Sequence, residues 1–297
     1  MISVLIPLYQ EDIASLLSSL LVATERLTEP AEIIISDVSE SSRKGYLEEF
    51  LAHKDVFYHY HNEIKSRAEN RNYLADQAKF DHLVFLDCDA ILPDLDFLVK
   101  YAEILHKKSV ICGGTAYQKE KPDDKNHILR WKYGTTREVR SYKRREENPY
   151  SSFSSFNFCI PAKIFQEIKF NETVDQYGHE DTFFGFELEK NQISILHIDN
   201  PLIHNGLESA KIFIKKTETG IVTLVRMAET GTFSADFLKG IQLWKTSIKL
   251  RNSGLLPIIK ILFPLISKLC LINLKSNNPN IRFFDVYKLA YLAKIQG

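Results

Sequence analysis

From Ile2 to Tyr9 the chain reads ISVLIPLY, apolar with hardly a break, and then the rhythm changes: Ile13, Leu16, Leu17, Leu20, Leu21 and Leu27 recur at helical intervals. The first run predicts a strand buried on both faces, the second a helix with one apolar stripe. The alternation continues. EIIIS (32–36), VFYHY (56–60) and HLVFL (82–86) read as strands, RAENRNYLADQA (67–78) as a helix, and a helix over about 95–107 precedes a strand in SVICGGTAY (109–117). Strands alternating with helices predict βαβ units around a mostly parallel sheet. Right-handed crossovers then set the strand C-termini along one edge, where open α/β sheets take ligands. Residues 119–150 carry many charges and little apolar periodicity, which predicts a long mobile loop. Order returns with a strand in FSSFNFCIP (153–161), a helix AKIFQEI (162–168), a helix opening at GHED (178–181) and a strand ending near His204.

Composition narrows the class. The 297 residues are 44% hydrophobic and 26% charged, as in a soluble globular protein. Lys plus Arg and Asp plus Glu both total 38, so overall charge points to no nucleic-acid partner. The balance conceals an asymmetry: from Leu238 to Gly297 there are ten basic residues and one acid, Asp285, so this end is +9 and the remainder −9. Cys88, Cys112, Cys159 and Cys270 are far apart and form no C-x-x-C, which argues against a zinc site or a disulfide framework and suits a reducing cytoplasm. MISVLIPLY has no basic leader region and reads as a strand, not a signal peptide.

The candidate chemistry begins at HLVFLDCDA. Residues i and i+2 of an extended segment face the same way, so Asp87 and Asp89 are expected to project together where the fourth strand meets solvent. Two adjacent carboxylates repel unless a cation lies beside them, and a hard divalent ion with positions open to phosphate is the usual solution. The plain alternative is a solvated turn.

Taken in order, IPLYQED after the first strand, IIISDVSES after the second, NEIKSRAENRNYLADQA before the fourth, FLDCDA after it, then GHED and IHNG, resemble glycosyltransferase family 2 over about residues 1–208. These are nucleotide-sugar transferases of the GT-A fold. The resemblance implies an α/β, Rossmann-like, mixed and mostly parallel sheet flanked by helices. It implies a GT-A domain over 1–235, with a nucleotide half (1–118) and an acceptor half (119–235), followed by a basic, apolar helical extension over 236–297. Pro7, Tyr9 and Glu11 would touch nucleobase and ribose, Asp37 would accept from a uracil ring, and Arg71 would lie near the nucleotide, with Lys65 and Arg67 as vaguer candidates. Asp89, Asp87 and His204 would hold Mn2+ or Mg2+ on the diphosphate, Asp87 also touching the donor; Asp181 would be the general base and Glu180 would orient the acceptor. The plain alternatives are a half-buried aromatic for Tyr9, an Asx-turn for Asp37, a solvated helix face for Arg71, and acids favoured by a helix N-terminus for Glu180 and Asp181. The chain departs from the family in having Ser36-Asp37-Val38-Ser39 where two acids and Gly-Ser often stand.

The resemblance therefore implies a metal-dependent, inverting glycosyltransferase of the hexosyltransferase type. It would carry a sugar from a nucleoside diphosphate, UDP above all, to a glycan or lipid-linked glycan. The QxxRW pattern of processive synthases is missing, which implies one sugar per encounter. Two competing classes are a haloacid-dehalogenase-like phosphatase, whose Asp-x-Asp normally follows the first strand, and a non-catalytic sugar-nucleotide or glycan binder. At the C-terminal end, GLLPIIKILFPLISKLCLINL mixes apolar residues with lysines, and no stretch reaches about eighteen uncharged apolar residues. Pro257 and Pro264 are expected to interrupt a single long helix. Two readings stand: helices packed on the catalytic domain, or an interfacial surface on anionic lipid that would make the protein peripheral on the inner face of the membrane.

Overall fold

The computed structural model describes every residue except Lys108, Asp175 and Gly297. Its strands are β1 (Ile2–Leu8), β2 (Ala31–Asp37), β3 (Val56–Tyr60), β4 (His82–Leu86), β5 (Ala90–Ile91), β6 (Val110–Cys112), β7 (Thr115–Ala116), β8 (Asn157–Pro161), β9 (Ile195–His197) and β10 (Leu202–His204). Seven form one sheet in the order β3-β2-β1-β4-β8-β6-β9, and β5-β10-β7 form a second. In the large sheet only β8 runs against the rest.

Alternation along the strands fills two cores. Val4 and Ile6, Ile33 and Ile35, and Val84 and Leu86 face one side, against Leu16, Leu17 and Leu20 of the helix Ala14–Glu25. Leu5, Ile34, Leu83 and Phe85 face the other, against Leu74 of the helix Arg67–Gln77 and a stack of Phe158, Phe165, Phe170 and Phe184. Because both faces are covered, these strands carry continuous apolar runs, and their sequence boundaries are found within a residue or two.

Two compact units divide the chain: Met1–Gln118, Val139–Asp175 and Glu180–Gly206 form one, and Lys119–Glu138, Gln176–His179 and Leu207–Gly297 form the other. These units do not coincide with the functional halves expected from sequence. The 119–150 segment, expected as a mobile loop, holds helices Ile128–Tyr133 and Tyr142–Glu146 with a π-helical turn Gly134–Glu138 between them, and it divides between the units at Glu138. The second unit, among its described residues, is helical: Ala210–Glu229, Ala235–Gly240, Gln242–Asn252, Leu256–Leu274 and Ile281–Ile295. Pro264 does not interrupt the fourth of these. Pro257 sits in its first turn, where its missing N–H is no loss, and the Lys260 carbonyl that Pro264 leaves without a donor belongs to an exposed residue.

The expected strand 109–117 is likewise two, β6 and β7, in different sheets. Gly113 and Gly114 part them: a Cβ on Gly113 would overlap Asn157 and the Asn200 carbonyl, and Gly114, at φ +98°, abuts Arg145. Arg145 is the buried pin that makes this break. Its guanidinium donates to the carbonyls of Cys112 (3.0 Å), Gly113 (2.9 Å), Ile198 (2.7 Å) and Arg140 (3.3 Å), and to Nδ1 of His197 (2.9 Å). An arginine cannot accept, so His197 Nδ1 must, and its Nε2–H is left to donate to the Pro149 carbonyl at 3.0 Å. Burial holds the His197 pKa below its usual value, which keeps the ring neutral as this network requires.

Removing this pin takes the guanidinium from the Ile198 carbonyl and from His197 Nδ1, while the Cys112 and Gly113 carbonyls keep the N–H groups of Ile198 (3.0 Å) and Asn200 (3.3 Å). Arg145→Ala is expected to cost about 2–4 kcal/mol in urea unfolding. Arg145→Lys should recover little of it, since an ammonium cannot reach the same carbonyls as a planar fork.

Candidate active site

The parallel pairings carry β1, β2 and β4 to a common edge, with Leu8 opposite Asp37 and Leu5 opposite Phe85. Beyond it lie Tyr9, Ser39 and Asp87. The strand β4 stops at Leu86, and residues 87–89 form a tight turn closed by Ala90 N–H donating to the Asp87 carbonyl at 3.2 Å. The expectation that Asp87 and Asp89 face the same way therefore fails: alternation applies to extended chain, and this chain has already turned.

Asp87 points to the helix Arg67–Gln77. That helix starts at Ser66, whose Oγ accepts from Glu69 N–H, while the Glu69 carboxylate reaches back to Lys65 N–H. The cap fixes Arg67 and Arg71, four residues apart and so on one helical face. Arg71 Nη2 donates to Asp87 Oδ1 at 2.7 Å, and Arg67 Nη1 lies 3.8 Å from Glu180 Oε1. Arg71 is only 2% exposed, its Cζ stands 5.5 Å from the Phe170 ring centre, and its Nε and Nη1 have no hydrogen-bond partner. It meets the site through Asp87. Asn72, beside it, donates instead to the Phe170 carbonyl (2.9 Å) and Glu172 (2.8 Å), tying the helix down.

Asp89 points to His204. The short second sheet pairs His204 with Ala90 and Ile203 with Ile91, and Asn205 N–H donates to the Asp89 carbonyl at 2.9 Å, so register alone puts the imidazole beside the carboxylate. Nε2 of His204 lies 3.6 Å from Asp89 Oδ2. Tyr117 and Phe156 both stack on the ring, with centroids at 5.3 and 5.2 Å and planes within 13° and 19°. Sequence reading missed both aromatics, because nothing in their spacing marks them. Gly206 backs Asp89 so closely that any Cβ there would overlap its Oδ2. Among the described residues no three of His, Cys, Asp and Glu gather to hold a cation. The expected trio of Asp87, Asp89 and His204 is thus divided between Arg71 and a two-residue pair. A carboxylate and an imidazole suit a divalent ion whose other positions go to phosphate oxygens and water.

Asp181 completes the cluster. It opens the helix Glu180–Lys190, after Gly178 (φ +109°) and His179 (φ +70°), and its Oδ1 accepts from Thr182 N–H at 2.7 Å. Burial first, and the charge of Glu180 second, push its carboxyl up to about 6; Asp87 adds to the rise, while the Thr182 bond and Arg71 oppose it. Desolvation here outweighs the helix N-terminus, which alone would favour the anion. Glu180 is itself buried.

At the nucleotide edge Tyr9 is 55% exposed, Glu11 exposed and Pro7 half-buried. Glu11, Asp87 and Asp89 all act on the Cys88 thiol, which burial foremost and then Asp89 raise to about 12, so this cysteine is an inert filler within the acidic turn. Asp37, expected to meet a uracil ring, is fully buried. Its oxygens accept from Ser39 N–H (2.9 Å), Arg43 N–H (2.8 Å) and the Tyr58 hydroxyl. Burial, then the bond to Asp37, push the Tyr58 phenol up to about 12, so it remains a donor. Through the Ser39 and Arg43 N–H groups Asp37 shapes the loop after β2, as in an Asx-turn.

A Rossmann-like sheet whose strand ends carry an Asp-x-Asp turn, faced by a helix-start carboxylate and a histidine, defines the GT-A class of nucleotide-sugar transferase. The chain belongs to glycosyl transferase family 2, whose sequence model matches residues 3–168. The match ends before Glu180. The fold is similar to that of S. aureus TarS (16% identity, TM-score 0.54, covering 98% of this chain and 54% of that one). It is also similar to S. aureus TarS 1-349 in complex with UDP-GlcNAc (15%, 0.54, 97% and 89%). A third likeness is to the mannosyltransferase PcManGT from Pyrobaculum calidifontis in complex with GDP-Man and Mn2+ (15%, 0.53, 99% and 85%). At these identities the likeness shows the fold alone, and the chain spans about half the length of the longer TarS chain. No curated protein matches the sequence.

The raised Asp181 carboxyl has a consequence for stability. A folded-state pKa above the unfolded one favours the protonated folded form, so the contribution is present at low pH and lost as pH rises through about 6. Asp181→Asn should therefore raise the stability at pH 8 by about 1–2 kcal/mol and leave it nearly unchanged at pH 4, read by urea unfolding at each pH. Gly206→Ala, by contrast, must displace Asp89 and should destabilise by about 1–3 kcal/mol at both.

Proposed function

We propose that the protein is an inverting, cation-dependent glycosyltransferase moving one sugar per encounter from a nucleoside diphosphate to a glycan or lipid-linked glycan hydroxyl, with UDP sugars as first donors. The observation that carries this reading is the meeting of a high-pKa carboxyl, Asp181, with the Arg71–Asp87 pair in the unit that also holds Asp89 and His204. Family membership and the nucleotide sugars bound by similar folds support the donor class. Four unpaired cysteines support a cytoplasmic setting.

Asp181 takes the acceptor proton, and the freed alkoxide attacks the anomeric carbon from the side opposite the leaving group. The bond from that carbon to the diphosphate oxygen breaks, and the configuration inverts. Glu180, held by Arg67, orients the acceptor. Tyr9 offers the nucleobase an exposed ring beside Pro7 and Glu11. Asp87, fixed by Arg71, is positioned for the ribose. Asp89 and His204 would hold Mn2+ or Mg2+, which when bound neutralises charge on the departing diphosphate. The phosphatase alternative loses its basis, since Asp87 ends the fourth strand and is already paired with an arginine.

The test is UDP release from UDP sugars with Mn2+. Asp181→Asn should slow it by about a hundredfold or more while thermal stabilisation by UDP and Mn2+ persists. Unchanged turnover would remove Asp181 as base. For the parent protein kcat/KM should climb as pH rises through about 6, since the base works only when ionised. Asp89→Asn should abolish the Mn2+-dependent part of UDP stabilisation, and equal stabilisation with and without its carboxylate would exclude the cation reading.

A further inference from the structure

The helix Leu256–Leu274 presents an apolar face to solvent. Ile258, Ile261, Leu262, Leu265, Leu269 and Ile272 follow one another at i, i+3, i+4, i+7, i+11 and i+14, so they form one stripe, and all six are exposed, Ile261 by 77% and Ile272 by 64%. The opposite side is committed: Cys270 and Leu274 pack with Ile281, Phe284 and Tyr287. An outward apolar stripe from Ile258 to Ile272 on a helix of nineteen residues is far from the scattered exposed residues of ordinary surfaces.

Charge identifies what covers it. Lys268 borders one edge of the stripe, Lys275 follows on the same edge just past the end of the helix, Arg251 lies in the preceding helix Gln242–Asn252, and all three are exposed, while Lys260 stands on the far side. From Leu238 onward the one acid, Asp285, is already engaged by Arg137 at 2.6 Å and Lys288 at 3.0 Å. A positive edge on an apolar strip, in a segment of net charge +9, repels a second copy of itself and attracts a surface that is apolar beneath and negative above. We infer that this helix docks, lying in the plane of the interface, on an anionic lipid bilayer. By length and composition it could also cross one, but crossing would tear Cys270 and Leu274 from their core. The inference stands on the second unit alone and does not depend on the transfer chemistry.

The full protein should sediment with vesicles containing phosphatidylglycerol and poorly with pure phosphatidylcholine. Ile261→Glu combined with Leu265→Glu changes only exposed positions and should lower binding by about tenfold or more, with unfolding unchanged. Lys268→Glu with Lys275→Glu should lower it by about fivefold or more at low salt, an effect that fades as salt rises. Wild-type failure to bind, or undiminished binding by the Ile261/Leu265 variant, overturns the inference. So does a dimer that this variant dissolves without any vesicle binding, which would assign the stripe to a second copy. UDP release with Mn2+, measured on the same variants, should stay at the parent level, so failure here is distinct from failure of the transferase reading.

Discussion

A buried guanidinium among carboxylates is the constraint on which this site is built. Arg71 is sealed beneath Phe170 and the helix that carries it, and one Nη donates to Asp87 while two other donors find no partner. A charge in that position cannot be shed, because arginine does not deprotonate in proteins. It therefore draws in acids: Asp87 directly, and Asp181 through space. Yet it cannot neutralise all of them. Burial and Glu180 keep the Asp181 carboxyl high despite Arg71, which is the state a general base near neutral pH requires.

The site is divided around the turn at residues 87–89. One carboxylate is spent on the protein's own cation and the other faces an imidazole held between two aromatic rings. This division gives the two acids different work. Asp87 is fixed and polar, a hydrogen-bonding wall; Asp89, with His204, is the part that can accept a divalent ion. The acidic character of the pair, which raised the question of a cation in the first place, is thus half answered within the chain.

Much of this was legible in the sequence. The middles of β1, β2 and β4 are apolar runs because both sheet faces are covered there, and such runs have sharp ends. The order of acids, arginine and histidine along the chain was enough to indicate the family. What misled had local physical causes. Arg145 looks like one cation in a charged stretch, and only the carbonyls of Cys112, Gly113 and Ile198 reveal it as a pin. Pro264 breaks a helix only where its lost donor matters, and here the freed carbonyl is on an exposed residue. Asp37 could be placed at a strand end but not oriented, since its three donors come from residues up to twenty-one positions away. Tyr117 and Phe156 lie far from His204 in sequence and meet it because one follows β7 and the other precedes β8.

That second sheet is small, and its register is strict. His204 lies across from Ala90 and Ile203 across from Ile91, with nothing longer to hold the phase. Neighbouring strand positions face opposite ways. Adding one residue just before Leu202 would bring Ile203 to the place of the imidazole at Asp89, and deleting one would bring Asn205 there, with composition almost untouched. The spacing of this segment therefore sets the Asp89–His204 pair as much as the identity of its histidine does.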